Sequence, residues 1–182
     1  DNARAKINYG ESREFLVGPG TGRRFVKLDG LGLAIYYKST GFFLAQDSGK
    51  ILPSNNLHKS EKVSFDNFGG LVFDRFYFGK FFLDGGFYYD WTFYTKHITW
   101  DSYSFSYGKI TKAIEKQLSF VNNTNYGLTF RLGYAQGVSL YFNYRLSNLF
   151  KGYVPPVLPG YTSTGATLTY PELPVYVLGV TF

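Results

Sequence analysis

The chain has 182 residues, and its 19 Lys and Arg against 13 Asp and Glu give a formal net charge of +6. An aromatic content of 21 % excludes a disordered chain, and the lack of cysteine excludes a disulfide-bonded or zinc–cysteine scaffold. The longest apolar run, residues 31–37, is too short for a transmembrane helix, which needs about 20 apolar residues. The basic residues are scattered rather than clustered, so no nucleic-acid partner is expected.

The amino-terminal half predicts strand segments at residues 5–18, 24–46 and 61–78. The glycine-rich residues 18–22 are expected to form the turn after the first segment, and residues 39–41 to break the second. Residues 1–6 lack an apolar core followed by a small-residue cleavage site, so no signal peptide is expected there.

Residues 80–97 give the clearest strand pattern in the chain. Apolar and aromatic residues occupy nearly all odd positions from Phe81 to Phe93, whereas the even positions include Asp84 and Asp90. This period of two continues for 13 residues, well beyond the about 5–6 residues of an ordinary soluble strand. The pattern predicts one long strand with an aromatic face and a polar face.

Three further strands are predicted, at residues 124–134, at 137–147 and at about 170–182. Each is close to the about 9–11 residues that a tilted strand needs to cross a hydrocarbon layer. Arg131 and Arg145 lie in the middle of the polar faces of the first two. The connections alternate between short turns and long polar loops, the latter at residues 96–122 and 148–168.

Long strands, unequal connections and aromatic strand ends are typical of outer-membrane barrels, in which apolar faces contact lipid and polar faces line a lumen. We therefore expect one all-β domain over residues 1–182, an eight-stranded antiparallel transmembrane β-barrel of a bacterial outer membrane. The pattern itself gives seven segments, and eight are expected because single-chain bacterial barrels have even strand numbers. Either one strand is divided wrongly in this interpretation, or the first strand precedes or overlaps Asp1. The side chains expected to face lipid are Phe87, Tyr89, Trp91, Phe93, Leu128, Phe130, Leu132, Leu140, Phe142, Tyr144, Leu178 and Val180.

The carboxyl-terminal third carries motifs of a known family. Residues 126–134 read YGLTFRLGY, residues 138–151 read VSLYFNYRLSNLFK, and residues 170–175 read YPELPV. Over residues 125–182 the chain resembles the PorT-like outer-membrane β-barrel family, although Tyr170 stands where that family usually has glycine. The resemblance implies a small outer-membrane barrel, in some members an accessory of protein secretion or surface assembly, without an enzymatic site.

Four charged residues are expected on the inward faces of the predicted strands: Asp84, Asp90, Arg131 and Arg145. We interpret them as a network that closes the lumen, because side chains just fill an eight-stranded barrel. The alternative is a network that selects or gates ions. Weaker candidates for the same network are Lys27, Asp29, Asp74 and Arg75.

The long loop at 96–122 has a basic character. Lys96, Lys109, Lys112 and Lys116 either bind lipopolysaccharide phosphates at the outer rim or lie on a solvated loop. Residues 109–116 are also compatible with one or two helical turns that dock on a partner.

His97 supports a second functional hypothesis. It lies near Thr99, Ser102 and Ser104, and Asp101 is placed to orient it, as in a rim hydrolase or acyltransferase that modifies lipid A. The other interpretation is a solvated rim histidine. No metal-ligand spacing is present, and no cofactor is expected.

The function expected from the sequence is that of a non-catalytic integral outer-membrane barrel, a structural or accessory subunit of a complex for secretion, transport or surface assembly. Its expected partners are outer-membrane lipid, lipopolysaccharide and other outer-membrane proteins, with no small-molecule substrate. The alternatives are the lipid A-modifying enzyme, a small-solute pore and a soluble lipocalin-like barrel. The last of these predicts that Phe87, Trp91, Phe130 and Phe142 point inward.

Overall fold

The chain is described by a computed structural model that covers residues 6–8, 11–26, 29–46, 57–102, 110–134, 137–153, 168–169, 173 and 175–181. Over these residues it is all-β and antiparallel. None of them belongs to a helix long and apolar enough to span a membrane. The strands are β1 (Arg13–Val17), β2 (Gly20–Val26), β3 (Asp29–Phe43), β4 (Ser60–Phe78), β5 (Phe81–Ser102), β6 (Ile110–Lys116), β7 (Thr124–Tyr134), β8 (Ser139–Arg145), β9 (Gly152–Tyr153), β10 (Leu168–Thr169) and β11 (Tyr176–Thr181).

One curled sheet in the shape of a half-barrel contains all strands except the short β9–β10 pair. Its order is β1-β3-β4-β5-β7-β8-β11, with β2 paired to β3 in line with β1 and β6 paired to β5 in line with β7. The described residues therefore form seven strand positions, and the eighth strand expected from the sequence is not among them.

The amino-terminal strand boundaries differ from the prediction. Val17 pairs with Tyr37 and Gly20 pairs with Ala34, so β1 and β2 run in one direction along β3. Residues 18–22 are therefore no reversing turn, and the chain reverses between β2 and β3 instead. The expected break at residues 39–41 is also wrong, because β3 continues to Phe43 with unbroken pairing to β4. A long neighbouring strand satisfies the backbone groups that local propensity leaves undecided.

The predicted loop at 96–122 is largely a β-hairpin. Strand β5 continues to Ser102, and β6 pairs with it from Lys96–Lys116 to Ser102–Ile110. The helical turns expected at 109–116 are therefore wrong for residues 110–116. Cross-strand hydrogen bonds to β5, together with the β-branched Ile110, Thr111 and Ile114, outweigh a weak helical preference.

The connections define two ends of the sheet. Short connections follow β2, β4 and β7 at what we call the turn end, and the long connections lie at the opposite loop end. A bulge at Phe93 divides β5 into a turn-end part and a loop-end part. Asn67 pairs with Thr92 and Asp66 pairs with Tyr94, so Phe93 is an extra residue without a partner in β4. Towards the turn end the even positions of β5 are buried on the concave face; towards the loop end Thr95 and Thr99 are buried instead.

An apolar cluster fills the concave side at the loop end. The central side chains, Val63 and Phe65 of β4, are almost completely buried. Residues that follow β6 and β8 fold over them, so part of the predicted polar loops belongs to this core. We call the cluster the apolar cap; it consists of Phe42, Leu44, Val63, Phe65, Leu118, Val121, Leu149, Phe150 and Leu173.

Glycines allow close packing between strands on the concave face. A β-carbon built at Gly32 would overlap the ring of Phe73, and one at Gly69 would overlap the ring of Tyr36. Glycine at these two positions therefore admits a bulky neighbour.

Candidate functional site

The concave face toward the turn end holds an ionic cluster around Asp84. Arg75 donates from Nε to Oδ1 at 2.6 Å and from Nη2 to Oδ2 at 2.8 Å, and Arg131 donates from Nε to Oδ2 at 2.7 Å. The Asp84 residue is only 1 % exposed. Bidentate, charge-assisted hydrogen bonds of this kind hold both guanidinium planes in fixed orientations. The structure thus pairs Asp84 with Arg131 and adds Arg75.

A second ionic cluster surrounds Asp90, which is completely buried. Tyr36 donates its hydroxyl to Oδ1 at 2.7 Å, and Lys38 binds Oδ2 through its ammonium group. The Lys38 ammonium also lies 4.9 Å from the centroid of the Tyr88 ring. Lys38 and Tyr36 were not predicted from the sequence, because the apolar run at 31–37 hides an inward-facing polar register on β3.

Arg145 is buried but is not the partner of Asp90. Its Nη2 donates to the carbonyl oxygen of Leu173 at 2.8 Å, which ties β8 to the segment ahead of β11. Nearby, Glu14 accepts hydrogen bonds from Tyr141 at 3.2 Å and from Thr40 at 3.1 Å. The Tyr141 contact joins the inward side chains of β8 and β1, so both ends of the sheet surround one interior.

The other weaker candidates for the inward ionic network are Asp74, Lys27 and Asp29, and the structure describes the side chain of Asp74 alone among them. Asp74 lies next to Arg75 in β4 but on the opposite, convex face, since its even-numbered neighbours Val72 and Phe76 are exposed there. Lys27 lies outside the described residues, and so does the side chain of Asp29. The described ionic side chains of the mid-interior are Glu14, Lys38, Arg75, Asp84, Asp90, Arg131 and Arg145.

The described residues enclose at least two cavities in the interior. The larger, about 430 Å³, lies against Arg75, Asp84 and Arg131 near the turn end. The smaller, about 40 Å³, lies between Glu14 and Arg145 and reaches Phe42 and Phe65 of the apolar cap. Both cavities have the Tyr88 side chain in their walls. The larger space is thus bounded toward the loop end first by the Asp90 cluster and then by the apolar cap.

The histidines have carboxylate partners. His97 Nε2 lies 2.7 Å from the buried Oε1 of Glu61, and His97 Nδ1 lies 3.5 Å from Glu115. Asp101, expected to orient His97, instead contacts Nδ1 of His58 at 2.9 Å. The orientation proposed for Asp101 is therefore wrong, because β5 places residues 97 and 101 against different neighbours. The side chains of Ser102 and Ser104 lie outside the described residues.

The lysines of the predicted loop lie on the β5–β6 hairpin. Lys96 is 3.9 Å from Asp66 and lies over the ring of Tyr94. Lys112 lies over Trp100 of the paired strand, and Lys116 is exposed at the end of β6. Lys109 lies outside the described residues. Within those residues no three His, Asp or Glu side chains are grouped to hold a metal ion.

The convex face is apolar and exposed over most of the sheet. Trp91 is 53 % exposed, Phe130 46 % and Leu178 74 %. Phe93 and Phe142 are half-buried. Phe93 is partly covered because it stacks on Phe68, with ring centroids 4.8 Å apart. Phe87, Trp91 and Phe130 thus point away from the interior, opposite to the lipocalin-like alternative. Others of the predicted set that are exposed there are Tyr89, Leu128, Leu132, Leu140, Tyr144 and Val180.

Comparison of the chain with models of protein families, with curated proteins and with solved structures finds no match. The resemblance to the PorT-like family therefore rests on the motifs of residues 125–182 alone.

Proposed function

We propose that this chain is a non-catalytic integral protein of a bacterial outer membrane, an eight-stranded barrel with a closed lumen that serves as a structural or accessory subunit of a membrane complex. The observation that supports this proposal is which side chains are buried: charged side chains lie inside and apolar side chains outside, the reverse of a water-soluble barrel. Asp84 and Asp90 are buried on the concave face, while Trp91, Leu140 and Leu178 are exposed on the convex face. An exposed apolar surface of this extent is stable against hydrocarbon rather than water.

The height of the apolar surface supports this proposal. Along β5 it extends from Phe81 to Trp91, ten residue steps, or about 33 Å at about 3.3 Å per residue. A strand tilt of about 40° reduces this length to about 25 Å, the height of the apolar band of outer-membrane barrels. Beyond it, toward the loop end, the convex face also carries polar side chains, since Asp66 accepts from Ser39 and approaches Lys96.

Aromatic residues lie at both limits of the apolar surface. At the turn end Phe81 stacks on Phe78 and meets Tyr134 edge to face. At the other limit Trp91 and Phe93 form a second group with their neighbours Tyr37 and Phe68. Aromatic groups at both limits of an apolar surface are typical of the two interfaces of a membrane.

A closed lumen favours a structural role over transport. The ionic clusters fill the middle of the interior, and the apolar cap closes it toward the loop end. Because an eight-stranded barrel is just wide enough for its own side chains, we expect these groups to leave no continuous path for solutes. The proposal therefore disfavours the small-solute pore.

The β5–β6 hairpin continues beyond the apolar surface toward the loop end. It carries Lys96, Lys112 and Lys116 together with the exposed Ile110 and Ile114. Cationic groups beside apolar ones suit contact with lipopolysaccharide phosphates or with another membrane protein, each lysine contributing about 1 kcal/mol near an anionic surface.

The two tryptophans provide the test. Trp91 belongs to the convex apolar surface, whereas Trp100 lies nine residues further along β5 and stacks on Phe43. We expect brominated lipids to quench Trp91 in a Trp100→Phe variant folded into vesicles, and to leave Trp100 unquenched in the matched Trp91→Phe variant. Equal quenching of both, or recovery of the folded protein without detergent or lipid, would contradict membrane insertion.

Planar bilayers test the closed lumen separately. The inserted protein is expected to show no stable single-channel conductance steps. A steady open channel would exclude the closed lumen while leaving membrane insertion intact.

A further inference from the structure

The ionic cluster around Asp84 belongs to one row of paired residues that crosses the middle of the sheet. The strand pairings from β3 to β8 place its members side by side, in the order Gly30, Arg75, Asp84, Arg131 and Tyr141. Directly paired residues of neighbouring strands point to the same face. Because Asp84 is buried on the concave face, both arginine side chains extend into the interior beside it.

The next row toward the loop end leaves space beside this cluster. Its members are mostly small, in the order Gly32, Phe73, Gly86, Thr129 and Asn143. The cavity of about 430 Å³ lies over this row, with Phe73, Thr129 and Asn143 in its walls. Its volume falls within the range of about 300–1,000 Å³ that small-molecule sites have, and far exceeds the about 30 Å³ of one water. The cavity therefore has room for a small organic molecule.

The part of the ionic cluster that faces this cavity is cationic. The Asp84 side chain is 2 % exposed, whereas the side chains of Arg75 and Arg131 are 23 % and 26 % exposed and lie in the cavity wall. Two guanidinium groups that share one carboxylate have an excess of positive charge, and here the carboxylate is the shielded member. An anion in the cavity would therefore meet the two cations rather than Asp84.

Aromatic rings hold both guanidinium groups in place. Cζ of Arg75 lies 3.9 Å from the ring centroid of Phe82 and 5.3 Å from that of Phe73, and Cζ of Arg131 lies 5.2 Å from the Phe73 centroid. A guanidinium has five N–H donors, and a carboxylate accepts about four hydrogen bonds in all. The pair of arginines therefore has more donors than Asp84 can satisfy. A second acid group would be bound by donors that are already oriented.

We propose that this part of the interior binds a small organic anion, whose carboxylate or phosphate group accepts hydrogen bonds from Arg75 and Arg131. The remainder of the ligand lies over the Phe73 ring, next to the Thr129 hydroxyl. The Asp90 cluster and the apolar cap close the loop-end side, so the ligand enters and leaves at the turn end. An eight-stranded barrel is wide enough to hold one small ligand.

This inference goes beyond the proposed structural role and does not rest on membrane insertion. The residues that form the site point into the interior of the sheet, whichever medium surrounds the convex face. The site also differs from a pore, because a cavity that is closed on one side binds a solute without conducting it.

Isothermal titration calorimetry of the protein folded in a non-ionic detergent tests this site. The probes are benzoate and phenyl phosphate, which carry the two acid groups on the same ring, and benzyl alcohol is the neutral comparison. Arg131→Gln removes one guanidinium, and Arg13→Gln, at the exposed start of β1, is the matched control that removes a positive charge elsewhere. If Arg131→Gln folds poorly by circular dichroism, Ala34→Leu is used, because Ala34 lines the cavity and a larger side chain there reduces its volume without a change in charge.

We expect at least one of the two anions to bind with a Kd below about 1 mM. Arg131→Gln or Ala34→Leu should weaken this binding at least about tenfold, and Arg13→Gln should change it by less than about twofold. Unchanged binding in the cavity variants would place the anion elsewhere. Benzyl alcohol that binds as tightly as the anions would make the cavity a neutral apolar site, and absence of binding at about 10 mM of either anion would mean that no such site exists. Each of these three results overturns the inference, and none depends on the tryptophan quenching or the conductance measurement.

Discussion

Neutralising Asp84 tests whether the ionic interior stabilises the fold. In Asp84→Asn, Arg75 and Arg131, which flank Asp84 on the neighbouring strands β4 and β7, lose their shared carboxylate and keep two like charges side by side. Removing one partner of a buried ion pair costs about 3–5 kcal/mol. Because the two arginine side chains keep 23 % and 26 % of their exposure, water screens part of this cost, and we expect about 3 kcal/mol, the lower end of that range. Arg131→Leu leaves Asp84 bound by Arg75 and should cost less, about 2 kcal/mol for lost charge-assisted hydrogen bonds.

The stronger test is which of the two variants, Asp84→Asn or Arg131→Leu, loses more of the free energy of unfolding. The measurement is urea unfolding of the protein folded in detergent micelles, followed by tryptophan fluorescence. When the variants share the same slope of unfolding free energy against urea concentration, the shift in the urea midpoint gives the change in the free energy of unfolding. Glu11→Gln, at an exposed turn position, is the control and should change stability by less than about 0.5 kcal/mol. The reasoning fails if Asp84→Asn costs less than about 1 kcal/mol, the value of a surface ion pair, or if Arg131→Leu costs more than Asp84→Asn.

Three further changes test the cap, the close packing and the histidine. Phe65→Ala, in the apolar cap, should cost about 3–5 kcal/mol in the same urea assay, and Phe68→Ala, on the convex face of the same strand, should cost clearly less. Gly32→Val should cost at least about 1–3 kcal/mol through overlap with the Phe73 ring, and more than Gly70→Val, where a β-carbon meets only the Ala34 carbonyl oxygen at 3.9 Å. His97→Ala should leave lipid A unchanged in mass spectra of the expressing cells, and a lost or altered lipid A species would revive the enzymatic hypothesis.

The strand class and the two faces of the sheet could be predicted from the sequence because they depend on a local period of two. From Phe81 to Trp91 that period places every second side chain on the same face, and the structure follows it. The ion-pair partners could not be predicted in the same way. They depend on the register between β3, β4 and β5, and that register brings Lys38 rather than Arg145 to Asp90.

The apolar cap was missed for a related reason. Its side chains come from strand ends and from segments that read as polar loops, such as the short stretch that holds Leu118 and Val121. Nothing in a local pattern distinguishes a loop that folds back over an interior from one that remains in solvent. The sequence did carry one signal of a buried loop. Leu149 and Phe150 follow directly after a strand end, and apolar side chains are unfavourable in a loop that is exposed to solvent.

The bulge at Phe93 explains how one pair of strands serves two environments. Strands β4 and β5, of 19 and 22 residues, are far longer than a membrane requires. Towards the turn end their inward residues include the ionic Arg75, Asp84 and Asp90, and their outward residues are largely apolar. Towards the loop end Val63 and Phe65 face inward while Asp66 and Lys96 face outward. On the proposed membrane insertion, this boundary lies where the sheet leaves the hydrocarbon. Because a bulge inserts one unpaired residue and disrupts the ladder only locally, it shifts the side-chain register of β5 against β4 at that boundary while the strands stay paired on both sides of it.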